Sequence, residues 1–587
     1  MVSSSKRFLS RGSFCKLCLL HMHSLAMMVC FSTTIFLTNK RIWLYLSNLL
    51  FIQKIMKQKT ALKSTKPIKT TKKQSKKSDF SSLSQNRESF FQAKANILDI
   101  RDGERLIVLL NLEQATAFGI NLHDKVTLKR QNGESIVADV AISDTVPAGE
   151  IGIYLDILDK VKFTSNEVIS VALAESSTAS YDAIRKKMRG EKISYEEMYS
   201  IIKDISENKL DDTMMTYYVA SSFFYPTTDE EMYLTAKAMA ECGVTFKYPK
   251  GEIIADKHCI GGVPGNETTM ILIPLIASLG IKIPKNFSKS ITSPAATGEC
   301  VNVLMDINFD KKGIEKLVKE EDCCLVWGGS LDLAPADDKL IKVQYPLSMQ
   351  SRAKVVSSIM AKKYAMGITH SLIDIPVGPT AKVTTMEEAK DWKKKFEYVG
   401  KKLGMKMSVA ITKADEVIGN GVGAVLQVRE VLRILQQHPE RAKDLEDKVL
   451  HLASKIIQDV GLAKGKKALE LAKTQLTSGK AWQKMQSIIK AQHGDPKITS
   501  ETLKLGTHTY DILATKDGQM KVINLHDVNA ICRKLGCPVI NEAGMYLYKK
   551  LGDKVKKGEK IATLYALDDT KLDLGIERFK ERSPFEY

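Results

Sequence analysis

The first 78 of the 587 residues contain no aspartate or glutamate, and that absence explains most of the chain's charge. Sixteen Lys or Arg stand there against a formal net charge of +19, so the residues from Asp79 onward carry only +3. A body this close to neutral gives no electrostatic reason to expect a nucleic-acid partner. Long apolar runs are also missing. The two in the leader, "SLAMMVCFSTTIFL" from Ser24 and "IWLYLSNLLFI" from Ile42, fall short of the roughly 20 residues that span a bilayer. No membrane association is therefore expected of the folded body. Ten cysteines are too few and too scattered for a disulfide scaffold, and the C-x-x-C of Cys15 and Cys18 has no second pair at zinc spacing. Cys323 and Cys324 read as core, no metal is expected, and a reducing, cytoplasmic setting fits.

What is present divides into segments. Residues 1–92 read as a leader and a Lys-rich tail. The leader admits two readings: an export signal behind Lys6, Arg7 and Arg11 without a clear small-residue cleavage site, or upstream sequence before a start at Met56. From Met56, nine Lys and almost no apolar content predict disorder. Residues 93–175 form a small β domain of alternating strands, with "DKVTLKR" and "ESIVADV" joined through "QNG", where Asn132 and Gly133 are expected to supply positive φ. Residues 176–250 turn helical, with capping boxes at Ser194/Glu197 and Thr228/Glu231. Strands and helices then alternate through 251–494, which predicts a largely parallel sheet with a helical tail. Residues 495–575 return to strands, including "GDKVKKGEKIATLYA".

The stretch "DKHCIGGVPGNETT", Asp256 to Thr269, is expected to be a turn between a strand, "GEIIAD", and the apolar helix "TTMILIPLIASLG". Gly261, Gly262 and Gly265 let the backbone approach a ligand, and free N–H groups opening the helix suit an anion. Lys257 adds a positive charge; Thr268 and Thr269 add hydroxyls. This composition predicts an oxyanion cradle, with phosphate as the expected anion. It is not a nucleotide P-loop, which needs Lys where Asn266 stands, and the G-x-G-x-x-G spacing is absent. A second polar loop, "NFSKSITSPAATG" from Asn286, gathers Ser288, Lys289, Ser290, Thr292, Ser293 and Thr297 at a helix start. Taken alone, each loop also fits a plain turn or a solvated connection.

Together with "LAPADDKLIKVQYPLSM" and "SSIMAKKYAMG", these motifs resemble the thymidine and pyrimidine-nucleoside phosphorylases over about Asn96 to Ala566. The resemblance is to the longer subgroup with an extra N-terminal β domain, which includes putative bacterial thymidine phosphorylases and archaeal AMP phosphorylases. It implies an α/β, multidomain fold: a small N-terminal β domain, a helical domain, a central mixed or parallel α/β domain of the nucleoside phosphorylase and phosphoribosyltransferase kind, and a C-terminal α+β domain. It implies a pentosyltransferase that cleaves thymidine with phosphate to thymine and 2-deoxyribose 1-phosphate. The alternative is a nucleoside-monophosphate phosphorylase giving ribose 1,5-bisphosphate and free base. No cofactor is implied, phosphate being a co-substrate, and a homodimer is.

By match to the family, Lys257, Cys259, Thr269 and Thr297 would bind phosphate through side chains and Gly262 through its backbone. His258 would face the base and, with Lys257, carry catalysis. Ser358 and Lys362, four apart on one helix face, match positions that grip a pyrimidine. Ser288, Lys289, Ser290, Ile291, Thr292 and Ser293 match a nucleotide-binding loop, and Lys382 matches a further ligand contact. The resemblance also implies closure of the helical domain onto the α/β domain. The sequence departs from the family where Cys259 and Phe287 replace Ser, Val343 an Arg that reads the base, Gln350 an acidic proton donor, and Gln427 a Glu that binds a monovalent cation. Two rivals are weighed: a phosphoribosyltransferase, whose magnesium Asp337 and Asp338 could hold, and a lipoyl- or biotinyl-type carrier, for which "EAGMYLYKK" offers no clear modified-Lys turn.

Overall fold

The computed structural model describes residues 90–103, 105–174, 177–290, 293–344 and 351–587. The leader, Met56, Cys15 and Cys18 lie outside the described residues, as do Ile291, Thr292 and Gln350.

Six strands close a small barrel: β1 (Phe90–Leu98), β2 (Ile107–Leu110), β3 (Lys125–Lys129), β4 (Ser135–Ile142), β5 (Glu150–Tyr154) and β6 (Val168–Leu173), in the order β1-β5-β2-β4-β3-β6. β1 pairs with β6 to complete the ring, which leaves no open edge. Alternation fills it: Val108, Leu110, Val126 and Leu128 are buried at every second position. The β3–β4 hairpin differs from expectation in its turn. Gly133 alone takes positive φ, at 91°, while the Asn132 side chain accepts from the Glu134 N–H at 3.0 Å. The side chain thus does at Asn132 what a left-handed backbone was expected to do.

Four helices follow, Thr178–Met188, Tyr195–Ser206, Asp212–Phe224 and Asp229–Glu241. Ser194 and Glu197 form the full capping box. At Thr228 only half of it forms, because the Glu231 carboxylate pairs with Lys187 instead. Two later helices pack onto this bundle: Lys339, on Pro335–Gln344, caps the Tyr195–Ser206 helix by donating to Ile205 O and Ser206 O, and Ser357, on Arg352–Ala365, donates to Met232 O.

The central sheet is parallel. β10 (His370–Val377) lies between β7 (Ala255–Cys259) and β11 (Lys406–Lys413), and β8 (Ile283–Phe287) pairs with β9 (Cys323–Trp327). A single parallel bridge, Ile254 to Lys282, joins the two groups. Each face carries a core. Ile254, Ile373 and Ile375 share one with the helical bundle, while Ala255 and Leu372 share the other with the buried helix Thr268–Ala277 and the helical tail. Beyond the tail helices Lys443–Asp459, Lys466–Thr477 and Lys480–Ala491, an α+β unit surrounds a four-stranded sheet. Among the described residues no helix is long and apolar enough to cross a membrane.

Candidate active site

The expected strand "GEIIAD" is displaced: β7 begins at Ala255, so Lys257, His258 and Cys259 lie on the strand and the turn starts only after them. The physical reason is pairing. His370 to Asp374 on β10 line up with Ala255 to Cys259, and this ladder holds four polar residues in extended form inside a parallel sheet. Because strand side chains alternate, Lys257 and Cys259 face the Thr268–Ala277 helix, while Asp256 and His258 face the other way.

On the first face Lys257 is completely buried, and its ammonium donates to Thr268 Oγ1 at 2.5 Å and Thr269 Oγ1 at 3.5 Å. Burial lowers its pKa, opposed by Cys259 and then by Asp374, the carboxylate opposite Cys259 in the ladder. Asp374 is itself held low despite burial by Lys448, at 3.1 Å, and by Lys257. The Cys259 sulfur accepts from Gly261 N and Asn266 Nδ2, both at 3.4 Å. Burial, reinforced by Asp374, pushes the thiol up to about 11, so it stays protonated near neutrality and can donate. The next helix starts without a side-chain cap, which leaves its first N–H groups free for an anion beside Lys257.

Two glycines shape the turn. Gly262 has φ of 90°, and a Cβ there would lie 2.7 Å from Lys382 Cβ, which places Lys382 against the cradle. Gly265 has φ of 76°, and a Cβ would meet Ile418 O at 2.2 Å.

The second loop reaches the first through Glu267, which sequence reasoning missed. Thr297 Oγ1 donates to both Glu267 carboxylate oxygens at 3.3 Å. Burial pushes Glu267 up to about 7, with Lys257 opposing. Elsewhere in this loop Ser290 donates its N–H to Glu299 Oε1 and hydrogen-bonds Ser293, Lys289 lies over the Trp327 ring at 4.4 Å, and Ser288 is exposed. Thr297 and Thr269 are therefore brought to one place, while Ser288 and Lys289 stand at its rim.

On the opposite face a buried cluster accompanies His258. Asp256 bonds Lys363 at 2.9 Å and Lys285 at 3.4 Å. Burial would raise Asp256, yet the two lysines hold it below the usual carboxylate range. His258 is held well below its ordinary 6.5, first by burial and then by Lys363, Lys285, Lys257 and Lys362. It is neutral, and its ring can give a hydrogen bond without carrying a charge.

Ser358 and Lys362 meet on a residue read from sequence only as a rival's metal ligand: Asp337 Oδ2 accepts from Ser358 Oγ at 2.6 Å and Lys362 Nζ at 2.7 Å. Its other oxygen, Oδ1, is buried without a partner, as are Asp256 Oδ2 and Asn266 Oδ1. An open buried acceptor beside Ser358 and Lys362 marks a place for a ligand with an N–H or O–H donor. Gln427 turns its amide inward, accepting from Gly423 N and donating to Cys300 Sγ. The signal for the missed residues was weak: Lys285 in "IPKNF" and Lys363 in "RAKVVSSIMAKKYA" stand among other polar residues, and only the folded register shows them buried against Asp256.

Comparison with known proteins gives three matched regions. The helical bundle domain of a glycosyl transferase family covers residues 181–243, the a/b domain of that family covers 251–482, and a pyrimidine nucleoside phosphorylase C-terminal domain covers 520–586. The chain is 38% identical over 493 residues to an AMP phosphorylase of Thermococcus kodakarensis, covering 84% of this chain and 97% of the relative. It is 38% identical over 459 residues to a putative thymidine phosphorylase of Rhodopseudomonas palustris, covering 78% of this chain and 88% of the relative. Among solved structures, an anthranilate phosphoribosyltransferase of Thermus thermophilus matches with a TM-score of 0.46 at 14% identity, over 53% of this chain and 100% of the other.

Proposed function

The chain belongs to the thymidine and pyrimidine-nucleoside phosphorylase family, a family of pentosyltransferases, and from that premise we propose that it cleaves a nucleoside monophosphate with inorganic phosphate, AMP being the first substrate to test. The products are free base and ribose 1,5-bisphosphate. One observation carries the reading: a fully buried lysine, Lys257, held by two threonine hydroxyls where a glycine turn meets an uncapped helix start. A buried cation at a helix N-terminus is stabilised by an anion, and orthophosphate supplies one.

The steps follow from the residues. Phosphate sits against Lys257, Thr269 and the helix amides, with the Cys259 thiol and Thr297 hydroxyl as further donors. One of its oxygens attacks the anomeric carbon as the glycosidic bond breaks, and the electron pair leaves with the base. Neutral His258 gives a hydrogen bond to the departing base, and Asp337 Oδ1 accepts from a base N–H beside Ser358 and Lys362. Lys289 and Lys382 are the cations that would meet a 5′-phosphate. Closure of the helical bundle over the site excludes water, which otherwise competes as nucleophile.

The names of the relatives favour the monophosphate, and the Rhodopseudomonas relative keeps thymidine as the second reading. A phosphate-dependent base-release assay over AMP, CMP, UMP, thymidine and uridine separates them. Release from a monophosphate with little from its nucleoside supports the proposal; the reverse order selects the second reading.

A further inference from the structure

Glu267 is the N-cap residue of the helix Thr268–Ala277, yet its carboxylate makes no capping bond to that helix. A side-chain oxygen at that position ordinarily accepts from the first amides of its own helix. Here it turns to the second loop, where Thr297 Oγ1 donates to both of its oxygens at 3.3 Å. Lys257 bonds Thr268, the next residue along, and acts on Glu267 through space. Free amides, a buried ammonium and a carboxylate only 4% exposed therefore lie together at one helix start.

An anion seated on those amides meets the Glu267 carboxylate. Two like charges side by side in a buried site do not both stay ionised unless a proton is shared between them. The neighbouring charges do not remove the conflict. Lys257 faces Glu267 from β7, while Glu299 and the Cys300 thiol face it from the helix Thr297–Leu304. Glu299 brings more negative charge, held by the Ser290 and Ala296 amides at 2.9 Å each, and burial keeps the Cys300 thiol protonated. Asp374 and Lys448, which act on Lys257, are paired with each other at 3.1 Å. Thr297 has a single hydroxyl proton, which cannot serve Glu267 and a bound anion at once.

Inorganic phosphate resolves the conflict, because near neutrality it still carries a P–O–H, whereas sulfate carries no proton at all. We propose, on the premise that Lys257 and the helix start hold phosphate, that Glu267 is a specificity residue: its carboxylate shares one proton with the bound oxyanion, so the cradle accepts phosphate and rejects oxyanions that bring no proton, sulfate first. The selectivity has a sign in pH. Burial pushes Glu267 up to about 7, so below that value its own proton serves either anion. Above it, only phosphate still supplies one.

The test is calorimetric binding of phosphate and of sulfate, separately, to the full chain without nucleotide, at about pH 6 and about pH 8. Sulfate must wait for Glu267 to take up a proton, so the wild-type preference for phosphate over sulfate should climb about tenfold between the two. In Glu267→Gln, whose amide has no proton to lose, the same ratio should change by less than about threefold. Any titration of Lys257 falls on both anions alike and leaves the ratio untouched. A ratio that stays level in the wild type, or climbs equally in Glu267→Gln, would overturn the proposal, as would the absence of phosphate binding at both pH values. If the variant does not fold, the wild-type ratio decides alone. Phosphate bound with this selectivity but no base released would uphold the role of Glu267 and sink the proposed reaction instead.

Discussion

At the residue scale the site is an exercise in placing charge where water is scarce. Lys257 and Glu267 are both buried and shifted toward neutrality, and an incoming phosphate rewards the first while opposing the second once it ionises. Lys257→Ala and His258→Ala should each lower kcat/KM by at least about tenfold, measured with phosphate as the varied substrate for the first and the nucleotide for the second. Glu267 gives a signed prediction. Its folded-state pKa of about 7 lies above the ordinary 4.5, so the folded chain holds a proton that the unfolded chain has lost. Its contribution to stability is complete below about 4.5 and is lost as pH rises through 7. Glu267→Gln should therefore gain stability relative to wild type over that interval, and its KM for phosphate should rise less above pH 7. Parallel denaturation curves and KM profiles for the two proteins would remove Glu267 from the account.

At the element scale the phosphate turn is braced from behind. Gly265 packs against the carbonyl of Ile418, and Ile418 N bonds Pro264 O at 3.3 Å. The bracing loop is in turn fastened by Lys550, which donates to Val417 O at 2.6 Å, Gly419 O at 2.7 Å and Asp444 at 2.9 Å. Gly265→Ala requires both positive φ and backbone movement, so phosphate KM should rise several-fold with a lowered thermal midpoint. Lys550→Met should show a milder form of the same pair of effects, on the order of 1–3 kcal/mol in stability for charged hydrogen bonds, discounted for partial exposure. Unchanged phosphate KM in both variants would mean that the brace does not reach the cradle. The element scale also shows what the sequence could reveal. The barrel's strands, the Ser194 box and the strand–helix alternation around β10 and β11 were legible because period, capping chemistry and apolar pattern agree there. β7 was misplaced by several residues because its polar "DKHC" looks like a loop until β10 is paired with it.

At the scale of the whole molecule, the proposed reaction divides its chemistry between structure packed on the two faces of the central sheet, each face with its own core. Under the proposal the phosphate side lies on β7 and the helix after it, and the base side on helices packed on the bundle. The residues proposed for both sides, Lys257, Thr269, Ser358 and Lys362, all stand in stretches that the sequence singles out. The buried partners Asp256, Glu267 and Asp337 were not legible as such, because a carboxylate's role depends on which lysine or hydroxyl the fold sets beside it.

The central claim is that orthophosphate, bound at Lys257, displaces the base. Its most direct test is consumption of labelled orthophosphate by the purified full chain with AMP, CMP, UMP, thymidine and uridine, with Lys257→Ala alongside. The account predicts stoichiometric base release and phosphate incorporation into a sugar 1-phosphate, largest with a monophosphate and lost in the variant. No phosphate incorporation with any of the five, or equal incorporation by Lys257→Ala, would contradict it.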